Sequence, residues 1–382
     1  MRVVLDALGI QEFGGCRSAT LNLIEGLIQE QSDDELVVLL SQAELFSGNG
    51  RRLRQIIFPS QGRMRDRVRL QFVLPRLLRE LKADVVHHVK NLTTFWVPCK
   101  QVVTLHDLTI LRHPDMFPKF EVAYWRSLER LALKAADHVI AISSATADDL
   151  SRYYGLSAQK LTVIYNSYDP IFSPVRTSND SVVRSMFGLT GDYVLHVGNI
   201  WKKKNLPTLV DAFALLVKDH GFAGKLALVG HEYHKGREPA LIDRIRSLGL
   251  EDRVVLTGAV SQEDLASLYR GAAVFVFPSF HEGFGLGPIE AMASGVPVVA
   301  YASEAVREVV ADAAVLVDGA RDARALAEAV RYALDSSVRD TLVEAGIRQA
   351  QRFSRSRQGR QTWELYRRVT GSPASVAGKR SA

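Results

Sequence analysis

The sequence predicts an α/β protein made of two Rossmann-like domains, each built on a parallel sheet, facing each other across a cleft. Three observations predict it. Short β-rich runs alternate with helical patterns from end to end, the pattern of parallel sheets covered by helices on both faces. A stretch of little periodicity divides that alternation into two series. Residues 274–299 read as strand, glycine-rich loop, helix and strand. That unit places loop side chains at the carboxyl end of a parallel strand, where open α/β sheets bind ligands.

In the first series the candidate strands are Val3–Leu5, Leu36–Leu40, Val85–His87, Gln101–Leu105, His138–Ile142 and Leu161–Ile164. Residues 166–192 carry Pro170, Pro174 and a Ser/Thr/Asn/Asp cluster at 177–181, and read as a linker. The second series is Tyr193–Val197, Leu226–Val229, Val254–Leu256, Val274–Phe277, Val298–Ala300 and Ala314–Val317. The expected domains are therefore 1–172 and 173–354. A final helix over 355–370 carries Trp363, Leu365 and Tyr366 and is expected to pack back on the N-terminal domain. Residues 371–382 are Gly, Ser, Ala, Lys and Arg-rich and are expected to be disordered.

With 382 residues, 47% apolar and 24% charged, the chain has the composition of an ordinary globular protein. A net charge of +6 does not by itself argue for nucleic acid. Charge is concentrated, however: residues 51–82 hold ten basic side chains and two acidic ones. The two cysteines, Cys16 and Cys99, lack metal-ligand spacing and are too few for a disulfide framework, so a reducing cytoplasm is expected. The first residues read as a strand and not as a signal peptide. No run of 18 apolar residues is present to span a membrane.

The most informative stretch is Glu282-Gly283-Phe284-Gly285-Leu286-Gly287-Pro288-Ile289-Glu290. It places Glu282 in the loop after a strand and Glu290 in the first turn of a helix, whose free N–H groups suit a phosphate. Glu290 reads either as a capping residue or as an acceptor for the two hydroxyls of a ribose. Glu282 reads either as a solvated carboxylate or as a contact to a sugar hydroxyl. Gly283, Gly285 and Gly287 are either turn glycines or points of close backbone approach to a ligand. Their spacing is not that of a dinucleotide fingerprint.

The second domain opens on Tyr193–Val197, then Gly198-Asn199-Ile200-Trp201-Lys202-Lys203-Lys204-Asn205. Asn205 is a plausible N-cap of the helix that follows, with Pro207 in its first turn. Three lysines beside a helix N-terminus are either a solvated basic loop or a diphosphate site. In the first domain the strand ending at Leu105 leads into His106-Asp107, which either faces the cleft or organises the loop 108–118. Phe13-Gly14-Gly15 follows the first strand, either as a plain turn or as backbone donors toward that cleft. His87 and His88 read as cleft lining or core, without metal-site spacing to His106.

These motifs resemble those of retaining nucleotide-sugar glycosyltransferases of the GT-B fold, in the large family 4. The strongest stretch is Val276-Phe277-Pro278-Ser279-Phe280-His281-Glu282-Gly283-Phe284-Gly285-Leu286 through Pro297-Val298-Val299-Ala300. Leu105-His106-Asp107-Leu108 with His113-Pro114-Asp115, Lys203-Lys204-Asn205-Leu206 and Ala141-Ile142-Ser143 also match. The resemblance covers nearly the whole chain. It implies that Lys204 meets the donor diphosphate, Glu290 the ribose, Glu282 and His106 the donor sugar, and Gly14 and Gly15 the phosphates and acceptor. It implies catalytic roles for His106, Glu282 and Lys204. The nucleotide-sugar site would comprise Gly14, Gly15, Asn199, Lys203, Lys204, Glu282, Gly283, Phe284, Gly285, Leu286 and Glu290.

Two departures stand out. Asn199 and Lys203 occupy positions where the family often has a phosphate-binding arginine; lysine keeps the charge and loses the planar fork. Gly287 replaces the usual proline, with Pro288 one position later.

The expected activity is retaining transfer of a mannose- or glucose-type hexose from a GDP- or UDP-sugar to a polysaccharide or lipid-linked acceptor. No cofactor, no metal and no nucleic acid are expected. The alternatives are a nucleotide-sugar epimerase on the same fold and a non-catalytic nucleotide-sugar binder. Val68, Phe72, Val73, Leu77, Leu78 and Leu81 form a partial apolar stripe among the arginines of 51–82. That segment reads equally as a helix packed on the first domain or as a peripheral contact with an anionic membrane, at the inner face of the cell membrane.

Overall fold

The computed structural model describes residues 1–8, 14–31, 33–41, 45–46, 52–60, 62–231, 238–319 and 321–372. Phe13, Arg51 and most of the expected tail (373–382) lie outside the described residues, as do the side chains of Arg63 and Arg67. The chain divides into two compact units: Met1–Ser167 with the segment from Arg355 onward, and Tyr168–Ser354.

The first unit holds a seven-stranded sheet, every pairing parallel: β1 (Arg2–Asp6), β2 (Glu35–Leu40), β3 (Leu53–Ile57), β4 (Val85–His88), β5 (Lys100–Leu105), β6 (His138–Ala141) and β7 (Leu161–Val163). Its helices in chain order are α1 (Gly15–Gln29), α2 (Arg63–Glu80), α3 (Thr109–Arg112), α4 (Lys119–Ala135) and α5 (Ser144–Tyr154). The strand order is β3-β2-β1-β4-β5-β6-β7. Strands such as β2 are buried along nearly their whole length, because helices cover both faces of a parallel sheet.

The second unit holds a six-stranded parallel sheet, β8 (Tyr193–Val197), β9 (Lys225–Val229), β10 (Val254–Gly258), β11 (Val274–Phe277), β12 (Val298–Tyr301) and β13 (Val315–Val317), in the order β10-β9-β8-β11-β12-β13. Its helices are α6 (Asp180–Met186), α7 (Leu206–His220), α8 (Glu238–Ser247), α9 (Gln262–Gly271), α10 (Leu286–Ala293), α11 (Glu304–Val310), α12 (Ala323–Leu334) and α13 (Ser336–Ala350). The last helix, α14 (Arg355–Thr370), belongs to the first unit. It lies on α1: the indole N–H of Trp363 donates to Leu27 O at 2.9 Å, and Arg355 donates to Asn22 Oδ1 at 2.7 Å. The two helices approach at Gly26 and Gly359, where a Cβ on Gly359 would overlap the Gly26 carbonyl.

Several local expectations need correction. β3 is a strand the sequence reading lacks; its charged edge sequence, Leu-Arg-Gln-Ile-Ile, hides the period-two pattern. The basic segment 51–82 is therefore a strand and a helix, not one helix. Its apolar stripe is also split: Leu78 and Leu81 join Leu74 in the core, while Val68 and Phe72 stay exposed at 57% and 75%. The linker 166–192 contains α6, anchored by the ion pair Asp180–Arg270 at 2.7 Å. The region 108–118 contains α3 and a 3-10 turn at Pro114–Met116.

Candidate functional site

In each sheet the strand order reverses beside the first strand of its unit, between β1 and β4 and between β8 and β11. Loops leaving neighbouring strands there diverge and open a crevice at the carboxyl edge. Gly14 and Gly15 follow β1, Asn199, Lys203 and Lys204 follow β8, and Glu282 to Gly285 follow β11; Leu286 and Glu290 lie in α10, and His106 follows β5, one strand beyond the switch point.

In the second unit the loop after β8 ends in a 3-10 turn, Lys202–Lys204, and the loop after β11 carries Glu282. Phe280 N donates to Lys203 O at 2.9 Å and ties the two loops together. Lys204 Nζ donates to Glu282 Oε1 at 2.7 Å, and Lys203 Nζ stands 3.6 Å from Glu282 Oε2. Trp201 and Phe277 present ring faces to Lys203 and Lys204 at 4.9 and 5.0 Å. Burial alone would raise the Glu282 pKa; the charges of Lys203 and Lys204, with the hydrogen bond from Lys204, overcome it and hold the carboxyl at about 2. Glu282 is thus an ionised, largely enclosed carboxylate, not a solvated one. A Cβ at Gly198 would stand 3.1 Å from His196 Nε2 and 3.3 Å from Lys204 Cε, so this backbone runs close against both side chains. Asn199 is half-buried in the turn between Gly198 and Ile200, whose N–H groups bond to Val229 O and His231 O at 2.9 and 3.0 Å.

Asn205 is the residue before α7, as expected, but in the left-handed region at φ 54° its side chain does not cap the backbone; it accepts from Thr208 Oγ1 at 2.7 Å. The helix carrying Glu290 also begins earlier than expected, at Leu286, with Gly285 at φ 116° as its N-cap. Glu290 is consequently in the second turn, and the third helical position, where a capping-box glutamate would stand, is Pro288. Phe284 is buried against Phe353, ring centroids 5.6 Å apart, so it anchors the loop while the backbone of Gly283–Gly285 forms its turn. Leu286 is half-buried at the head of α10.

Two residues that sequence reasoning missed complete this region. Tyr269, on α9, donates its hydroxyl to Glu290 Oε2 at 3.0 Å. Burial raises the Glu290 pKa, the Tyr269 hydrogen bond resists and the Asp169 charge adds to the rise; the result is about 7. His196, on β8, is fully buried and bonds through Nδ1 to Val276 O at 3.0 Å. Since a carbonyl only accepts, Nδ1 carries the proton. Burial, aided by the Lys204 charge, pushes His196 down to about 4 and keeps it neutral beside the lysines.

In the first unit, Gly14 at φ 115° precedes α1 and Gly15 is its first residue, while His106 follows β5. His106 Nε2 donates to Val89 O at 2.7 Å and its side chain bonds with Cys16. Asn91 Nδ2 donates to the buried carboxylate of Glu129 at 2.9 Å, and Asn91 Oδ1 accepts from His106 N at 3.4 Å. His87 and His88 are core: His87 bonds Tyr366 Oη at 2.6 Å and His88 bonds Asp6 Oδ2 at 2.8 Å. Among the described residues no group of three or more His, Cys, Asp or Glu side chains is placed to hold a metal ion.

The model of the family "Glycosyl transferases group 1" matches residues 184–352, and that of "Glycosyltransferase Family 4" matches residues 13–171. O-antigen chain mannosyltransferase B of Escherichia coli is 30% identical over 296 residues, 76% of this chain and 76% of that protein. O-antigen chain mannosyltransferase RfbU of Salmonella typhimurium is 29% identical over 225 residues, 57% of this chain and 56% of its own length. Among solved structures, HepE from Anabaena in complex with UDP-glucose shares the fold at a TM-score of 0.77 and 22% identity, covering 96% of this chain and 99% of that one. The chain belongs to the group 1 glycosyl transferases, glycosyltransferase family 4, on two parallel-sheet α/β units of the GT-B kind.

Proposed function

We propose that the protein transfers a mannose- or glucose-type hexose, with retention at the anomeric carbon and without a metal, from a GDP- or UDP-sugar to a polysaccharide or lipid-linked acceptor. The observation that carries this reading is the Lys203–Lys204–Glu282 cluster at the switch point of the second sheet. Two ammonium groups held against one carboxylate are already positioned for anionic oxygens. An incoming diphosphate offers more negative charge than Glu282 and displaces it from Lys204. The freed carboxylate then turns to a sugar hydroxyl. As the glycosidic bond breaks, Lys204 and the N-terminal N–H groups of α10 offset the charge growing on the leaving phosphate.

Glu290 accepts the two ribose hydroxyls. Tyr269 occupies one of its oxygens and fixes the orientation of the other. Relatives named as mannosyltransferases support the mannose-type reading, and the UDP-glucose complex of HepE is compatible with a UDP-type donor.

In the first unit, Gly14 and Gly15 bring backbone to the phosphates and acceptor, and His106 approaches the donor sugar. The membrane-side contact would be α2, whose exposed face runs Arg65, Val68, Phe72, Arg76 and Arg79, cations around an apolar strip. Co-sedimentation with anionic vesicles at low salt tests that contact, and Phe72→Glu abolishes it. Transfer followed by proton NMR of the first product tests the rest: an anomer matching the donor, formed at full rate in a chelator, is expected. An inverted anomer overturns the retaining assignment, and loss of turnover in chelator overturns metal independence.

A further inference from the structure

A buried polar atom at the switch point of the second sheet is left without work in the free protein. His196 stands on β8, two residues before Gly198, and is fully buried. Its Nδ1 proton goes to Val276 O at 3.0 Å, which leaves Nε2 as a bare lone pair. Among the described residues that lone pair has no hydrogen-bond partner, and it is sealed from solvent. Buried acceptors are nearly always satisfied, so an unused one calls for an explanation. Its surroundings supply one. The His196 ring stacks on Phe277, centroids 6.5 Å apart, and the Lys204 ammonium lies 5.0 Å from the centre of that same ring. Nε2 and the outer stem of Lys204 also converge above Gly198: a Cβ there would stand 3.1 Å from Nε2, and 3.3 and 3.5 Å from Lys204 Cε and Cδ. The ammonium nitrogen is one bond beyond Cε. It carries three N–H donors, and Glu282 Oε1 takes one of them at 2.7 Å.

We propose that His196 is a positioning residue for Lys204: its Nε2 lone pair accepts an N–H from the ammonium when a diphosphate displaces Glu282, and so holds the positive charge against the leaving phosphate. This rests on the donor-site reading of the Lys203–Lys204–Glu282 cluster. In the free protein Glu282 takes the ammonium and Nε2 stays bare. Once the carboxylate turns away, rotation about the outer stem bonds carries an N–H to Nε2 with no movement of the backbone. A second carboxylate in that place would neutralise the charge that the diphosphate needs; a neutral imidazole accepts the bond and leaves the charge intact. Burial, aided by the Lys204 charge, holds the ring at about 4 against the Val276 hydrogen bond, so the lone pair is present at neutral pH.

Two substitutions separate this role from a purely structural one. His196→Asn keeps an amide N–H where Nδ1 stands and lacks the outer acceptor. His196→Gln carries an amide oxygen out to the Nε2 position and gives up the bond to Val276 O. Both proteins and the wild type are titrated with GDP and with UDP, and assayed for turnover of the donor sugar that the wild type uses. In His196→Asn, kcat and nucleoside diphosphate affinity should each fall about fivefold to tenfold, the size of one hydrogen bond to a charged group, with the donor KM changed less than about threefold. His196→Gln should return both to within about threefold of wild type. A structural role predicts the reverse order, because the Val276 bond survives in His196→Asn and is lost in His196→Gln. That reverse order, or equal kcat and affinity in all three proteins, would overturn the inference. A structure of the wild type with the bound diphosphate checks it without substitution: Lys204 Nζ should stand about 2.7–3.2 Å from His196 Nε2 and clear of Glu282. Nζ still on Glu282 with Nε2 bare would overturn it. Wild type that binds neither GDP nor UDP would overturn the donor-site reading, and this inference with it.

Discussion

Glu290→Gln should stabilise the second unit at alkaline pH and leave it nearly unchanged in acid. Glu290 is 6% exposed, and no cation faces it among the causes of its shift: burial and Asp169 raise its pKa, Tyr269 alone lowers it, and the balance is about 7 against an ordinary 4.5. The folded state therefore holds a proton that the unfolded chain releases. Its favourable contribution is complete below the unfolded pKa and is lost as pH rises from about 4.5 through 7. A shift of about 2.5 units corresponds to roughly 3 kcal/mol of lost stability above pH about 8. Gln has the shape of Glu, accepts from Tyr269 through its carbonyl, and carries no charge to desolvate. Urea unfolding at pH about 5 and about 8, read on the transition of the second unit, should show the variant more stable by roughly 3 kcal/mol at the higher pH and by under about 1 at the lower. A stability difference that does not grow with pH would refute the reasoning. The same ionisation controls ribose binding in the proposed function, so nucleoside diphosphate affinity should strengthen as pH rises through about 7 and lose that step in Glu290→Gln.

Other perturbations follow from single contacts. Lys204→Met keeps the apolar stem over Phe277 and removes the shortest contact of Glu282; steady-state turnover should fall about 10²- to 10³-fold with the circular dichroism spectrum unchanged, and full activity would contradict the role given to this lysine. Asp180→Asn strands Arg270, whose side chain is 6% exposed, and should destabilise the second unit by about 3 kcal/mol in denaturant melts. In the wild type that pair's contribution should fade only as pH falls below about 4, because Arg270, Thr177 and Ser267 hold the Asp180 carboxyl well below the carboxylate range against the cost of burial. Gly359→Ala drives a methyl into the Gly26 carbonyl and should cost the first unit about 3 kcal/mol by thermal melting, with α14 losing its protection in amide exchange.

Much of the fold could be read from the chain, for identifiable reasons. Buried parallel strands such as Val274–Phe277 are continuous apolar runs, and loop glycines mark their carboxyl ends. Lys204 and Glu282 were legible because each sits in a short motif beside such a strand; their mutual contact was not, since it joins positions 78 residues apart. Tyr269 escaped for the same reason: nothing near it in sequence shows that its hydroxyl meets a glutamate two elements later. β3 was hidden by its arginine, and α6 by the turn-forming residues that begin it. The start of α10 is displaced because Pro288 reads as the first helical residue, whereas Gly285, free to take φ 116°, lets the helix begin two residues ahead of it.

The central claim is that the Lys203–Lys204–Glu282 cluster and Glu290 form a donor site that releases nucleoside diphosphate as sugar is transferred. Release of GDP or UDP from a panel of GDP- and UDP-sugars, with and without cell lipid extract, compared between wild type and Glu290→Ala, tests it most directly. The account predicts release from one donor class, raised by the extract and lost in the variant. Equal release by wild type and Glu290→Ala, or tight donor binding with no release from any sugar, would contradict it.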